Sequence, residues 1–321
     1  MNTLLQSFPE GFPVFDLHCD TAVELFVQKK SLLENDLQID LSRAPRGKKA
    51  LLYRQFFGFC CVYDPAGQPR TQEDAERLFL DSLANFEAEL ARCSDWIVWD
   101  RDTVRPEHRN KAGALLSLEG PEVIDCDPGR LEWLYQKGFR MTTLTWNYAN
   151  KLAGSCWTGE GLSEQGREFV KEAQRLGIAI DVSHLSDRAF WDLVNITQKP
   201  ILASHSDSRA CCACPRNLTD DQFRAIRDLG GVVGMNLYAP FLNESGKASF
   251  DDVCRHLEHW LSLGGEKIVA LGGDLDGCNV LPEGFTGVDD YFTLGKYLLD
   301  QGCTDEQLLA LYHNNASRFF S

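Results

Sequence analysis

Val14-Phe15-Asp16-Leu17-His18-Cys19-Asp20 is an apolar run that ends in an imidazole and a carboxylate two residues apart. Side chains two apart on a strand point to one face, so His18 and Asp20 converge there. The pattern recurs downstream. Glu119 closes the apolar run 114–118, His184 closes 178–183, His205 closes 201–204 and Asp274 closes 268–273. Burying such groups is costly unless they are paired or bound to metal. One divalent-metal centre fed by several strand ends accounts for all of them.

Strand-like runs at 13–19, 55–62, 113–119, 139–145, 177–184, 199–205, 231–236 and 267–274 alternate with helical patterns. Thr71, Ser163 and Ser186 stand as N-caps, and Thr219 with Gln222 and Thr304 with Gln307 read as capping boxes. Eight strands alternating with helices predict an α/β fold, a (β/α)8 TIM barrel whose reactive groups project from the C-terminal strand ends. Period-2 parity is read the same way: Val14, Asp16, His18 and Asp20 on one face, then Ile178, Ile180, Val182 and His184, then Ile201, Ala203 and His205, then Ile268, Ala270, Gly272 and Asp274. One barrel domain is expected over residues 1–321, a length such barrels reach as a single unit. Irregular insertions fall at about 30–54 and 93–112, and the first is expected to hold a short helix or a lid over the site.

The hydrophobic share of 44% is ample for a core, and the net charge of -15 argues against a nucleic-acid partner, which needs clustered Lys and Arg. With its first strand so early, the chain is expected to carry no removable signal, and no stretch approaches the ~20 apolar residues of a membrane span. Many of the twelve cysteines lie within apolar runs, such as Cys60 and Cys61, or in the cluster Cys211-Cys212-Ala213-Cys214, where adjacent thiols bridge poorly and make a poor zinc site. A reduced, cytoplasmic set is expected.

Three His, one Asp and one Glu exceed what one catalytic zinc takes, three protein ligands plus water. They suit two ions ~3.5–4 Å apart with a shared carboxylate. Glu119, on the third barrel strand, is the natural bridge between the first-strand pair and the later histidines. Hydroxide held between two zinc ions is nucleophilic at neutral pH, because the metals lower its pKa. Asp274, in Gly272-Gly273-Asp274-Leu275-Asp276-Gly277, is placed to take the proton from the attacking water and pass it to a leaving amine. A plain metal ligand is the alternative for it, and Asp276 shares its parity. His256 and His259 sit beside Arg255 and Glu258 and read as a solvated helix face; His108 and His313 have no partners in sequence.

Six motifs in order then resemble the membrane (renal-type) dipeptidases and their bacterial relatives among the amidohydrolase-like metal-dependent barrels. They are His18-x-Asp20, Glu119-Gly120, Asp181-Val-Ser-His184, Ser204-His205-Ser206, Arg216-Asn217 with Thr219-Asp220-Asp221, and Gly273-Asp-Leu-Asp-Gly277. The ending Asn315-Ala-Ser-Arg318-Phe319 is similar to that family's closing pattern. The resemblance implies two Zn2+ per chain, with His18 and Asp20 on one, His184 and His205 on the other, and Glu119 between. It implies hydrolysis of dipeptides, often with a D-residue tolerated at the C-terminal position. Arg216 matches the arginine that holds the substrate carboxylate, work suited to a bidentate guanidinium. Trp146 stands where mammalian-type members have a histidine thought to polarise the scissile carbonyl. Trp146 can donate one N–H, and Asn147 or Tyr148 another.

The function expected is a zinc-dependent dipeptidase. The alternatives are an N-acyl amino-acid deacylase or other amidohydrolase and, in another class, a catalytically weak metal-binding module. The expected partner is a small dipeptide, with no nucleic acid and no membrane; a homodimer is left open.

Overall fold

A computed structural model of the chain describes Leu4, Ser7 and residues 12–45, 53–64, 66–99 and 111–321. Its strands are β1 (Val14–Cys19), β2 (Tyr53–Cys60), β3 (Ile97–Trp99), β4 (Ala112–Glu119), β5 (Phe139–Thr143), β6 (Ala179–Asp181), β7 (Leu202–Ala203), β8 (Val232–Met235) and β9 (Val269–Leu271). All pairings between them are parallel. The order β2-β1-β9-β8-β7-β6-β5-β4 closes through a β2–β4 ladder, and β3 is appended outside β4. This is the (β/α)8 barrel. Its eight strands are the predicted ones, while β3 corrects the reading of 93–112 as purely irregular.

Helices fill the connections: α1 (Thr21–Val27), α2 (Gln72–Arg92), α3 (Leu131–Lys137), α4 (Glu164–Leu176), α5 (Asp187–Val194), α6 (Asp220–Asp228), α7 (Ala239–Leu242), α8 (Phe250–Ser262), α9 (Asp290–Asp300), α10 (Asp305–Leu309) and α11 (Asn315–Phe319). Their starts follow the sequence signals. Thr71, Ser163 and Ser186 each accept a backbone N–H at the first turn, and Thr219/Gln222 and Thr304/Gln307 close capping boxes. The described part of the first insertion, 30–45, forms turns rather than a helix. It is tied down by Gln38, whose N–H donates to Asp276 Oδ1 at 2.7 Å. Arg46, Lys48 and Lys49 lie outside the described residues, and so does His108.

The parity reading is overturned on three strands. The barrel interior is one cluster containing Phe15, Leu17, Phe56, Leu115, Met141, Leu202, Val232 and Ala270, whereas Val14, Ile178, Ile180, Val182, Ile201 and Ala203 belong to the layer between barrel and helices. Of the residues read as interior, only Ala270 is in that cluster. Strands covered on both faces carry no polar side to fix the phase of the alternation. Phe319 and Phe320 plug the lower end, with Phe320 ring centroids 6.1 Å from Phe15 and 4.6 Å from Phe56. The closing pattern acquires a physical role here: Asn315 Nδ2 donates to Glu266 O and Val269 O, and Arg318 donates to Lys267 O.

Gly272 is set by close approach. A Cβ there would lie 1.8 Å from Ser204 O, so alanine must push two strand ends apart. Gly272→Ala is expected to destabilise by about 1–3 kcal/mol, the usual cost of overpacking. Urea denaturation checks this, and an unchanged midpoint would contradict the packing.

Candidate metal centre

His18 reaches the barrel mouth through a bulge. Asp16 faces Gln55 and Cys19 faces Phe57, so β1 takes three steps against two on β2. The extra residue lets His18 join the interior although Leu17 already points there. Asp16 instead faces outward, accepting from the N–H of His18 (2.9 Å) and of Gly273 (3.2 Å) and from the hydroxyl of Tyr291. Gly58 leaves room for the imidazole: a Cβ there would stand 2.7 Å from His18 Cε1. Glu119 is the last residue of β4. His184 and Asp274 lie just past their strands in left-handed backbone (φ 74° and 55°), a conformation unfavourable for residues other than glycine. Strand parity no longer governs side-chain direction there.

Glu119 is buried at the middle of the group. Its Oε2 lies 3.5 Å from His18 Nε2; its Oε1 lies 2.8 Å from His184 Nε2 and 3.5 Å from His205 Nε2. The two histidine Nε2 atoms of His184 and His205 are 3.0 Å apart, and the His18 and His205 rings stack at 4.0 Å. Asp20 Oδ1 and Asp274 Oδ1 each stand 3.8 Å from His18 Nε2. The structure thus brings together all five predicted ligands and the predicted proton carrier.

The donor chemistry fits a cation. His205 Nδ1 is 2.6 Å from Ser204 Oγ, which itself donates to Asp181, so the ring proton sits on Nδ1. His184 Nδ1 is 2.9 Å from Asn147 Oδ1, with the same result. Both Nε2 atoms then present lone pairs to each other and to Glu119 Oε1, an arrangement that needs positive charge between them. His18 Nε2, Asp20 Oδ1 and Glu119 Oε1 are buried with no hydrogen-bond partner. Such atoms are rarely left bare in native proteins.

The electrostatics agree. Burial first, then the Arg216 charge, pushes His184 down to about 4, and burial with the neighbouring His18 holds His205 well below its usual range. Both are neutral, the form that ligates. Burial opposes charge on Glu119, but His18 and His184 outweigh it and keep the carboxylate ionised. Burial likewise disfavours charge on His18, yet Glu119 lifts its pKa to about 10, so His18 holds a proton among the carboxylates and must release it to ligate a cation. Burial is the main cause of a raised Asp274 pKa.

Arg216 is no surface residue: it is 4% exposed, its Nη2 is 3.2 Å from His184 Nε2 and its guanidinium lies 5.3 Å from the Phe241 ring centre. Trp146 is at the mouth, its ring 6.2 Å from that of His184. Asn147 Oδ1 is spent on His184, so this residue orients that imidazole, a role not anticipated for it. Asp276 belongs to the loop anchor described above. His256 corrects the solvated-face reading: it is fully buried, accepting from Ser208 N–H and paired with Leu242 O. Asn236 was not foreseen. It is buried, and its Nδ2 donates to Asp274 Oδ2 at 3.1 Å. No short motif flags a lone Asn after a strand. All twelve cysteines are free thiols, and none enters a ligand group among the described residues.

A parallel barrel with carboxylates and imidazoles gathered at its C-terminal mouth has the layout of a metal-dependent enzyme. The comparisons make this specific. Residues 4–321 match the model of the membrane dipeptidase family, peptidase family M19, and the chain belongs to that family of metallo-dipeptidases. A Klebsiella pneumoniae protein encoded in the pqqA 5′ region is 39% identical over 178 residues, 52% of this chain and 66% of the relative. Mouse dipeptidase 3 is 29% identical across 96% of this chain and 64% of its own length. The chain therefore spans somewhat less than two thirds of these two relatives. A Rhodobacter sphaeroides metallopeptidase, solved with a phosphinate mimic of the dipeptide L-Ala-D-Ala, superposes with TM-score 0.86 at 26% identity, covering 97% of this chain and 99% of that one. Among the described residues no helix is long and apolar enough to cross a membrane.

Glu119→Gln is expected to lower metal content measured by elemental analysis, because a neutral amide holds a cation more weakly than a carboxylate does. Full metal retention would remove Glu119 from the ligand set.

Proposed function

We propose that this chain hydrolyses dipeptides with two zinc ions, His18 and Asp20 holding one, His184 and His205 the other, and Glu119 shared. The observation that carries this reading is Glu119 itself, whose two oxygens face separate histidines, His18 on one side and His184 with His205 on the other. The His and carboxylate donors suit zinc. When bound, such ions polarise a carbonyl and make water acidic enough to attack at neutral pH.

The chain's own residues do the rest. Arg216 pairs with the substrate's terminal carboxylate from a buried position. Asp274 takes the proton of the attacking water and returns it to the leaving amine. Asn236 fixes one Asp274 oxygen, leaving the other, Oδ1, on the His18 side. Trp146 contacts the substrate beside His184. Acceptance of a D-residue at the C-terminal position is part of this reading, supported by the ligand of the Rhodobacter relative. Twelve free thiols suit a reducing compartment such as the cytoplasm.

Assaying L-L and L-D dipeptides beside metal analysis tests the whole reading; a zinc-loaded protein that cleaves none of them would overturn it. Asp274→Asn is expected to keep the metal content and cut kcat by ~10²–10⁴-fold, the usual contribution of a proton carrier. Loss of metal in that variant would make Asp274 a ligand instead. Arg216→Met is expected to weaken transition-state binding of free dipeptides by about 2–5 kcal/mol, part of it from a carboxylate left unpaired. C-terminal amides should suffer much less, and equal losses on both would make Arg216 structural.

A further inference from the structure

Three aromatic rings meet at one side of the barrel mouth. Tyr63, after β2, has its ring centre 5.1 Å from Trp146 and 4.6 Å from Tyr148, both after β5. Trp146 and Tyr148 are 6.5 Å apart, and Trp146 is in turn 6.2 Å from the His184 ring. This is a continuous wall that runs from a metal-facing histidine outward to solvent, where Tyr148 is 44% exposed.

The wall is held from behind. Tyr63 pairs with Pro69 in an antiparallel bridge, and its carbonyl accepts from Arg70 Nε at 3.1 Å. The Tyr148 carbonyl accepts from Thr145 Oγ1, and Asn150 Nδ2 donates to Leu144 O at 2.9 Å. A rigid exposed aromatic surface beside a reaction centre offers apolar contact at little ordering cost.

Strand order says which end of a substrate meets it. Arg216 follows β7, whereas the wall spans the ends of β2 and β5 with β4 between them. His184 stands between the two, 3.2 Å from Arg216 Nη2 on one side and facing Trp146 on the other. A dipeptide with its carboxylate on Arg216 and its peptide bond over the metal ligands must extend its N-terminal residue toward the aromatic rings.

We infer that Tyr63, Trp146 and Tyr148 form the subsite for the N-terminal side chain and select dipeptides whose first residue is large and apolar. This rests on the dipeptidase reading and adds the substrate class to it. A glycine in that position leaves the rings in water; a Phe or Leu side chain covers them, and apolar burial of this size discriminates by about tenfold or more.

The test compares kcat/KM for Phe-Ala and Gly-Ala on one preparation, so that the ratio is independent of the active fraction. The wild-type ratio is expected to exceed about ten. Tyr148→Ala, at a half-exposed position, and Trp146→Leu are each expected to lower that ratio severalfold. The ratio for Ala-Phe over Ala-Gly, which varies the C-terminal residue, should stay as in the wild type. Cleavage of both N-terminal variants without preference overturns the subsite alone, as does a shift confined to the C-terminal pair. Failure to cleave any dipeptide overturns the dipeptidase reading and the subsite with it.

Discussion

Everything at the barrel mouth is arranged around one buried carboxylate. Glu119 is 2% exposed and has three imidazoles within 3.5 Å of its oxygens. Removing a carboxylate from water costs several kcal/mol even after relaxation, and attraction offsets this only where geometry and remaining lone pairs are satisfied. Here two of the imidazoles are held in the tautomer that shows Glu119 a lone pair. The tension is useful only if cations occupy the gap. The site is therefore built for metal by the protein's hydrogen bonds as much as by its ligands.

Those hydrogen bonds are distributed over the whole barrel rim. Asp181 holds Ser204, which holds His205. Asn147 holds His184 and Asn236 holds Asp274. Asp16, from the outer face, ties the N–H of His18 to that of Gly273. Asn147 and Asn236 act from other strand ends, and Ser204, the chain neighbour of His205, is itself fixed across strands by Asp181. Outer partners of this kind set ring orientation and ligand basicity, and losing one typically costs ~10–100-fold in metal affinity or activity.

The alternation of apolar runs with capped helices was enough to read the barrel and its eight strands. Thr219 with Gln222 and Thr304 with Gln307 announced helix starts because capping is local chemistry. The same reading put Val14, Ile178 and Ile201 inside the barrel, where the structure puts Phe15, Ala179 and Leu202. Both faces of these strands are apolar, so composition could not distinguish them. His256 was assigned to solvent from its charged neighbours, although a helix turns those neighbours away from it.

What the sequence by itself determined is the inventory: which strands end in a ligand-type side chain, that Glu119 lies between the first and later ligands, and that Arg216 and Asp274 accompany them. These follow from local periodicity and chain order. Tertiary structure alone decided how the inventory becomes a site. The bulge that turns His18 inward depends on β2 beside it, and the left-handed turns at His184 and Asp274 depend on the packing around them. Asn147 and Asn236 acquire roles only from partners distant in sequence, and Ser204 can fix His205 beside it only because Asp181 on β6 takes its proton. So does the contact of Tyr63 with Trp146 across 83 residues, because ring closure of the barrel, not chain proximity, places the ends of β2 and β5 side by side around β4.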